Sequence, residues 1–179
     1  MMDRDMEQIL FTEEDLRARV SQLAADITRD YTGRTPVIVG VLRGSFVFMA
    51  DLVRQIPLPA QLEFMSVSSY GSGTTSSGQL NIRMDLETRI QGRDVLVVED
   101  ILDSGNTLTN LMIQLQSRGP RSLKLCVLLD KPERHVKEVP VDYLGFSIPD
   151  AFVVGYGLDY DQKYRNLPYI GILKPEIYE

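Results

Sequence analysis

Two adjacent acids, Glu99 and Asp100, follow four apolar residues, VLVV at positions 95–98, and precede Ile101, Leu102 and the small polar run Asp103-Ser104-Gly105-Asn106-Thr107. The apolar run has the composition of a strand buried on both faces. Carboxylates at the end of such a strand are costly unless paired, hydrogen-bonded or bound to a metal. The polar run leads into Leu108, Leu111, Met112 and Leu115, spaced for a helix. A loop that opens a helix can converge its backbone N–H groups on a phosphate, helped by the helix dipole, and the Ser104 and Thr107 hydroxyls add donors. Alone, such a loop says little, because Asp or Asn in a β–α turn is more often a helix cap. The acids sharpen it. Beside a phosphate they would repel the ligand, unless they bind sugar hydroxyls or a Mg2+ that offsets the charge. A ribose 5-phosphate carrying a magnesium-bound diphosphate meets both demands.

These groups need a scaffold, and the rest of the chain supplies one. Thr12 and Asp15 form a capping box, followed by a helical stripe of Leu16, Val20, Leu23, Ala24, Ile27 and Tyr31 that Gly33 ends. The apolar run 37–42 reads as a buried strand, Arg43-Gly44-Ser45 as a turn, and Phe46, Met49, Ala50 and Val53 as the inward face of the next helix. Residues 62–69 are β-rich and run into Tyr70-GSGTTSSG, a tract unable to bury apolar surface. Alternation resumes over 82–90, the helix from Thr107 stops at Gly119-Pro120, and 122–129 is another buried strand. Two short β-segments are expected at 139–146 and 152–156, and the tail from Tyr164 has no clear period. Strands alternating with helices imply an α/β fold with a mostly parallel, twisted sheet flanked by helices. Right-handed crossovers then bring the strand ends at Leu42, Asp100 and Leu129 to one edge. No internal repeat is present, so residues 1–179 are read as one domain.

Bulk properties narrow the function. A chain of 179 residues can bury a sizeable core, and its net charge of -6 argues against a broad nucleic-acid face. Neither a signal-peptide core nor a stretch of transmembrane length is present, so no membrane partner is expected. The single cysteine, Cys126, lies in the apolar run LCVLL and reads as a buried core residue. Without a disulfide framework the chain suits a reducing cytoplasm. His135, the only histidine, reads as a solvent-facing loop residue. Walker and dinucleotide-binding glycine patterns are absent.

Strand, Glu-Asp, two apolar residues and Asp-Ser-Gly-x-Thr closely resemble the phosphoribosyl pyrophosphate signature of the type I phosphoribosyltransferases. The Glu-Asp pair, with later features, resembles the hypoxanthine-guanine branch of that family, and the likeness extends from about Val37 to Arg165. The resemblance implies the type I phosphoribosyltransferase fold with a small hood formed by the terminal segments. It implies transfer of 5-phosphoribosyl from phosphoribosyl pyrophosphate to N9 of hypoxanthine and/or guanine, giving IMP or GMP and pyrophosphate, with Mg2+ as cofactor. In that picture Glu99 and Asp100 bind the ribose hydroxyls directly or through the metal, with Asp159 reaching a magnesium site or its waters. Asp103 is the general acid/base at purine N7. The backbone of Asp103, Ser104, Gly105, Asn106 and Thr107 holds the 5-phosphate. Leu42, Arg43 and Gly44, where the family uses a non-proline cis peptide, take the pyrophosphate together with Arg165. Lys131 donates to O6, Phe152 stacks on the base and Val153 offers main-chain contacts. Ser69 and Tyr70 begin a flexible loop, about 69–80, that closes over the site and excludes water. A 6-oxopurine base and phosphoribosyl pyrophosphate are the expected partners, and a homodimer or homotetramer the expected assembly. A non-catalytic regulator on the same fold would need a nucleic-acid-binding module or a basic excess, and the chain has neither.

Overall fold

The computed structural model describes residues 2–69 and 80–179. A short 3-10 turn (Met2–Asp5) leads to strand β1 (Met6–Phe11), helix α1 (Glu13–Tyr31), β2 (Val37–Leu42), α2 (Phe46–Val53), β3 (Gln61–Ser69) and β4 (Leu80–Met84). Then come β5 (Asp94–Leu102), α3 (Asn106–Ser117), β6 (Ser122–Asp130), a 3-10 turn (Pro132–Arg134), β7 (Tyr143–Ser147), β8 (Val153–Val154), β9 (Ile170–Leu173) and α4 (Pro175–Tyr178). Six strands form one sheet in the order β4-β3-β2-β5-β6-β7, parallel throughout except for β4, which runs antiparallel to β3. Alternate side chains of the central strands feed two cores. Ile38, Leu96, Val98, Cys126 and Leu128 pack toward α1 and α2, whereas Val37, Val39, Val95, Val97, Leu125 and Val127 pack toward α3. That is period-two burial on both faces, the reason these strands are apolar without a break.

The hood implied by the resemblance is a second sheet, β1-β9-β8, antiparallel and built from both ends of the chain. Its strands are short, and the tail shows no period because β9 spans four residues. The expected strand at 82–90 starts and stops earlier: β4 ends at Met84, where the Asp85 carboxylate accepts the Leu86 N–H (2.7 Å) and pairs with Arg118 (2.7 Å). The segment expected at 139–146 pairs only from Tyr143, and that at 152–156 contributes only Val153 and Val154, to the hood.

The capping box of α1 is present in both directions, and the six residues expected on its inner face are its buried ones. In α2 the rotation differs. Met49 is buried, but its companions are Phe48 and Leu52, while Phe46 and Ala50 are exposed and Val53 is half-buried. Nearly every residue of FVFMADLV is apolar, so the sequence admits several rotations. The packing chooses one, seating the Met49 sulfur where a Cβ on Gly40 would otherwise stand.

Asp94, which opens β5, is fully buried at the opposite end of the sheet from the acidic pair. Arg121 donates to it through Nε (3.0 Å) and Nη2, and Ser122 through Oγ (2.7 Å), tying the starts of β5 and β6 together. The Arg121 hydrogen bond holds the Asp94 carboxyl down at about 2. A carboxylate depressed from its unfolded value of about 3.9 contributes stability above that value and loses it as pH falls toward 2. Asp94→Asn is therefore expected to lower unfolding free energy by about 2 kcal/mol at pH 7. Urea denaturation should show that gap closing between pH 4 and 2; a gap independent of pH would refute the assignment.

Candidate functional site

Connection order reverses between β2 and β5. The chain leaves β2 through α2 for β3 on one side, and leaves β5 through α3 for β6 on the other. Open α/β sheets bind ligands at the carboxyl ends of the strands flanking such a switch point. Val37–Gly40 register with Val95–Val98, so the loop after β2 arrives beside the acidic pair. The contact is close: a Cβ on Gly44 would collide with the Asp100 carboxylate. The Leu42–Arg43 peptide is cis, as the resemblance implies.

Glu99 and Asp100 are half-buried. The Glu99 carboxylate accepts the Asp100 N–H (3.1 Å), and that of Asp100 accepts the Ile101 N–H (2.8 Å). Desolvation, reinforced by the neighbouring charge of Asp100, pushes the Glu99 carboxyl well above the usual carboxylate range. Among the described residues no three His, Cys, Asp or Glu side chains gather as a metal cage. Asp159 stands apart from the pair. Its carboxylate contacts Arg165 (2.9 Å) and accepts the Gln162 N–H (2.9 Å).

The polar loop turns into α3 at Gly105, whose φ of 81° is left-handed. Neither Asp103 nor Asn106 caps the helix, since the N-cap is Gly105 and makes no side-chain cap hydrogen bond. The Asn106 N–H reaches only the Ser104 hydroxyl, at 3.4 Å, and the N–H groups of Thr107 and Leu108 are left for an external acceptor. The loop is braced from behind, where the N–H groups of Val136 (2.9 Å) and Lys137 (3.2 Å) both donate to the Ser104 carbonyl.

Asp103 lies just past β5 and Lys131 just past β6, and the two backbones are linked by the Lys131 N–H donating to Leu102 O (3.0 Å). Lys131 is 8% exposed, and its Nζ is 3.9 Å from Asp150. Phe152 is 36% exposed. Its ring stacks on Tyr178 of α4 with centroids 4.8 Å apart and meets Tyr160 edge-on at 5.5 Å. Leu173 donates to the Phe152 carbonyl (2.8 Å). That makes Val153–Ile172 a non-hydrogen-bonded pair of the β8–β9 ladder, so Val153 turns its own N–H and C=O away from β9.

A cavity of about 350 Å3 lies against the cis loop, lined by Leu42, Arg43, Phe46, Gln162 and Arg165. Gln162 occupies a tight turn, Asp161-Gln162, with both residues at positive φ. Its side-chain oxygen accepts from Arg43 (2.9 Å), which fixes one cation on the cavity wall. Arg165 donates to the Gly157 carbonyl (2.8 Å).

The structure thus gathers Leu42–Gly44, Glu99, Asp100, the 103–107 loop, Lys131 and Arg165 around the carboxyl edge, with Phe152 and Val153 presented by the hood. Ser69 ends β3, and Tyr70 with the tract to residue 79 lies outside the described residues. His135, expected to face solvent, is instead partly buried with Nε2 2.6 Å from Asp130, because the 3-10 turn after Lys131 folds back over the end of β6. Cys126 is fully buried, and burial pushes its thiol up, as its apolar run implies. Sequence reasoning missed Arg134, Asp150, Gln162 and Tyr178. Only Arg134 left a signal: it follows Lys131 by three residues, the spacing that stacks side chains on a 3-10 turn.

Residues 8–161 match the phosphoribosyl transferase domain family. The chain is 49% identical over 179 residues to the hypoxanthine-guanine phosphoribosyltransferase of Bacillus subtilis, covering 100% of this chain and 99% of the relative. A crystal structure of a hypoxanthine phosphoribosyltransferase from Staphylococcus aureus superposes with a TM-score of 0.96 at 49% identity, covering 99% of this chain and 97% of the other. A variant of the Trypanosoma cruzi hypoxanthine phosphoribosyltransferase, in a ternary substrates complex, superposes with a TM-score of 0.94 at 46% identity, covering 98% of this chain and 100% of the other.

Proposed function

That this chain belongs to the hypoxanthine-guanine phosphoribosyltransferase family is the premise from which we propose its reaction: transfer of 5-phosphoribosyl from phosphoribosyl pyrophosphate to N9 of hypoxanthine and/or guanine. The products are the purine nucleoside 5′-monophosphate and pyrophosphate. The observation that carries the reading is the switch point, where the cis loop after β2 packs on Asp100 beside an uncapped helix N-terminus. One edge thus offers a diphosphate cavity with two guanidinium groups, two carboxylates for ribose hydroxyls and a phosphate cradle.

Each group then has a task. Residues 103–107 hold the 5-phosphate through backbone N–H groups and hydroxyls. Leu42, Arg43, Gly44 and Arg165 receive the pyrophosphate as it leaves, and Glu99 and Asp100 orient the ribose. Lys131 donates to O6, the outward-facing main chain of Val153 borders the ring, and Phe152 stacks on it. Asp103 takes the N7 proton as N9 closes on C1′. Glu99 and Asp100 would hold magnesium as a partial site, since among the described residues no third carboxylate joins them, and water and substrate oxygens would complete its shell, as is usual for this ion. When bound it offsets the charge of the diphosphate. Asp159 serves that site through water or through its hold on Arg165.

We place the enzyme in the cytoplasm as a single catalytic domain. It assembles as a homodimer or homotetramer, in keeping with Leu62 and Phe64, which leave apolar surface exposed on β3. The test is a panel of bases incubated with phosphoribosyl pyrophosphate and Mg2+. Nucleotide should form from hypoxanthine or guanine, not from adenine or uracil, and chelation should abolish it. Failure with every 6-oxopurine would overturn the reading, and sedimentation of the same sample reads the assembly.

A further inference from the structure

We infer that Arg134 is a positioning residue for this transfer: with Asp150 it forms an ionic bridge that holds the two side chains reading the purine, Asp103 and Lys131, in one frame. The inference rests on the reaction proposed above. Arg134 Nε donates to Asp103 Oδ1 (3.0 Å). Its Nη1 is 3.8 Å from Asp150 Oδ2, and Asp150 Oδ1 is 3.9 Å from Lys131 Nζ. Four charges of alternating sign therefore run from the proton acceptor at N7 to the donor at O6.

The backbone makes this bridge a fixture. Arg134 closes the 3-10 turn that begins at Lys131, its N–H donating to the Lys131 carbonyl (3.0 Å), and residues three apart on such a turn lie one above the other. The next residues are pinned to the phosphate loop through the Ser104 carbonyl. The guanidinium is thus anchored on one side to the base-binding lysine and on the other to the loop carrying Asp103. Stability offers little reason for the pair. Both side chains are about half exposed, at 50% and 46%, and exposed ion pairs contribute little to folding.

The geometry of the pair suits the chemistry. Arginine often grips a carboxylate with two parallel hydrogen bonds; here Nε goes to Asp103 and the other end of the fork faces Asp150. Asp103 Oδ2 is left for the purine. As N9 donates its electron pair to C1′, the bond from C1′ to the diphosphate oxygen breaks and its electrons leave on pyrophosphate. The N7 proton passes to Oδ2 of Asp103. Arg134 keeps that oxygen aimed at N7, at a fixed offset from the lysine that must meet O6 in the same ring.

The test is a double-mutant cycle with hypoxanthine and phosphoribosyl pyrophosphate, using wild type, Arg134→Ala, Arg134→Lys, Asp103→Asn and the Arg134→Ala/Asp103→Asn pair. Arg134→Ala is expected to lower kcat about ten- to a hundredfold and raise KM for hypoxanthine, with KM for phosphoribosyl pyrophosphate and thermal stability unchanged. Arg134→Lys should recover part of the loss. In the Asp103→Asn background, Arg134→Ala should cost less than about twofold, since no proton acceptor is left to position. Equal losses in both backgrounds, or a loss confined to KM for phosphoribosyl pyrophosphate, would overturn the role. A wild-type enzyme that forms no nucleotide would instead refute the reaction, and this role with it.

Discussion

Asp103→Asn is expected to cut kcat by about 10²- to 10⁴-fold, the usual worth of a positioned acid/base, while affinity for the nucleoside monophosphate changes little. Asparagine keeps the size of the side chain and an oxygen for Arg134 Nε, so the bridge and the loop survive. What it loses is the ability to take a proton. In the proposed site the 5-phosphate is held by the backbone and hydroxyls of residues 103–107, none of which a change in the Asp103 carboxyl group removes, and this separates the two readouts. Steady-state turnover at saturating substrates and equilibrium titration with nucleotide measure them independently. Equal losses in both would show that Asp103 binds and does not catalyse.

Gly105→Ala should strike the other half of the site, raising KM for phosphoribosyl pyrophosphate about 100-fold, equivalent to roughly 2.7 kcal/mol of lost binding. Gly105 has φ 81°, which an L-residue with a Cβ adopts at a cost of about 1–2 kcal/mol. The added Cβ would also collide with the Lys137 carbonyl oxygen, a backbone atom that cannot swing aside. Relief requires the 136–137 backbone to retreat and release Ser104, which loosens the cradle. Gly33→Ala is the control: its φ is 76°, nothing lies within 4 Å of the added Cβ, and the residue is far from the site. It should lower stability and leave KM alone. A similar, small effect of both substitutions would show that the loop tolerates displacement.

The sheet was largely legible in the sequence because both of its faces are covered. Val37–Leu42, Val95–Val98 and Leu125–Leu129 are unbroken apolar runs, and few other structures bury such runs so completely. The 103–107 loop was legible for a different reason: its glycine and small polar residues are demanded by backbone geometry, and geometry leaves a local trace. The hood and the bridge leave none. β9 spans four residues, and β8 is a two-residue strand whose partner lies 17 positions later at the nearest pairing, Val154 with Gly171. Arg134 and Asp150 meet only because β6 and β7 lie side by side, a tertiary fact. Tyr178 reaches Phe152 from the far end of the chain. In α2 the difficulty was excess, since a helix apolar at every position but Asp51 does not declare which face is inward.

The pairing of β1 with β9 also governs the order in which the enzyme can become functional as it leaves the ribosome. Met6 pairs with Leu173, so β1 has no partner until Leu173 has been made. The six-stranded sheet has no such wait, because β2 through β7 are complete by Ser147. At the usual 5–20 residues per second, the sheet has a lead of a second or more over the hood. Val153 and Phe152 acquire their support only when β9 arrives. A nascent chain therefore has the 103–107 loop in place before the hood that carries Phe152 and Val153, and the long-separated β1–β9 contact is the slow, late step that topology assigns to such pairings.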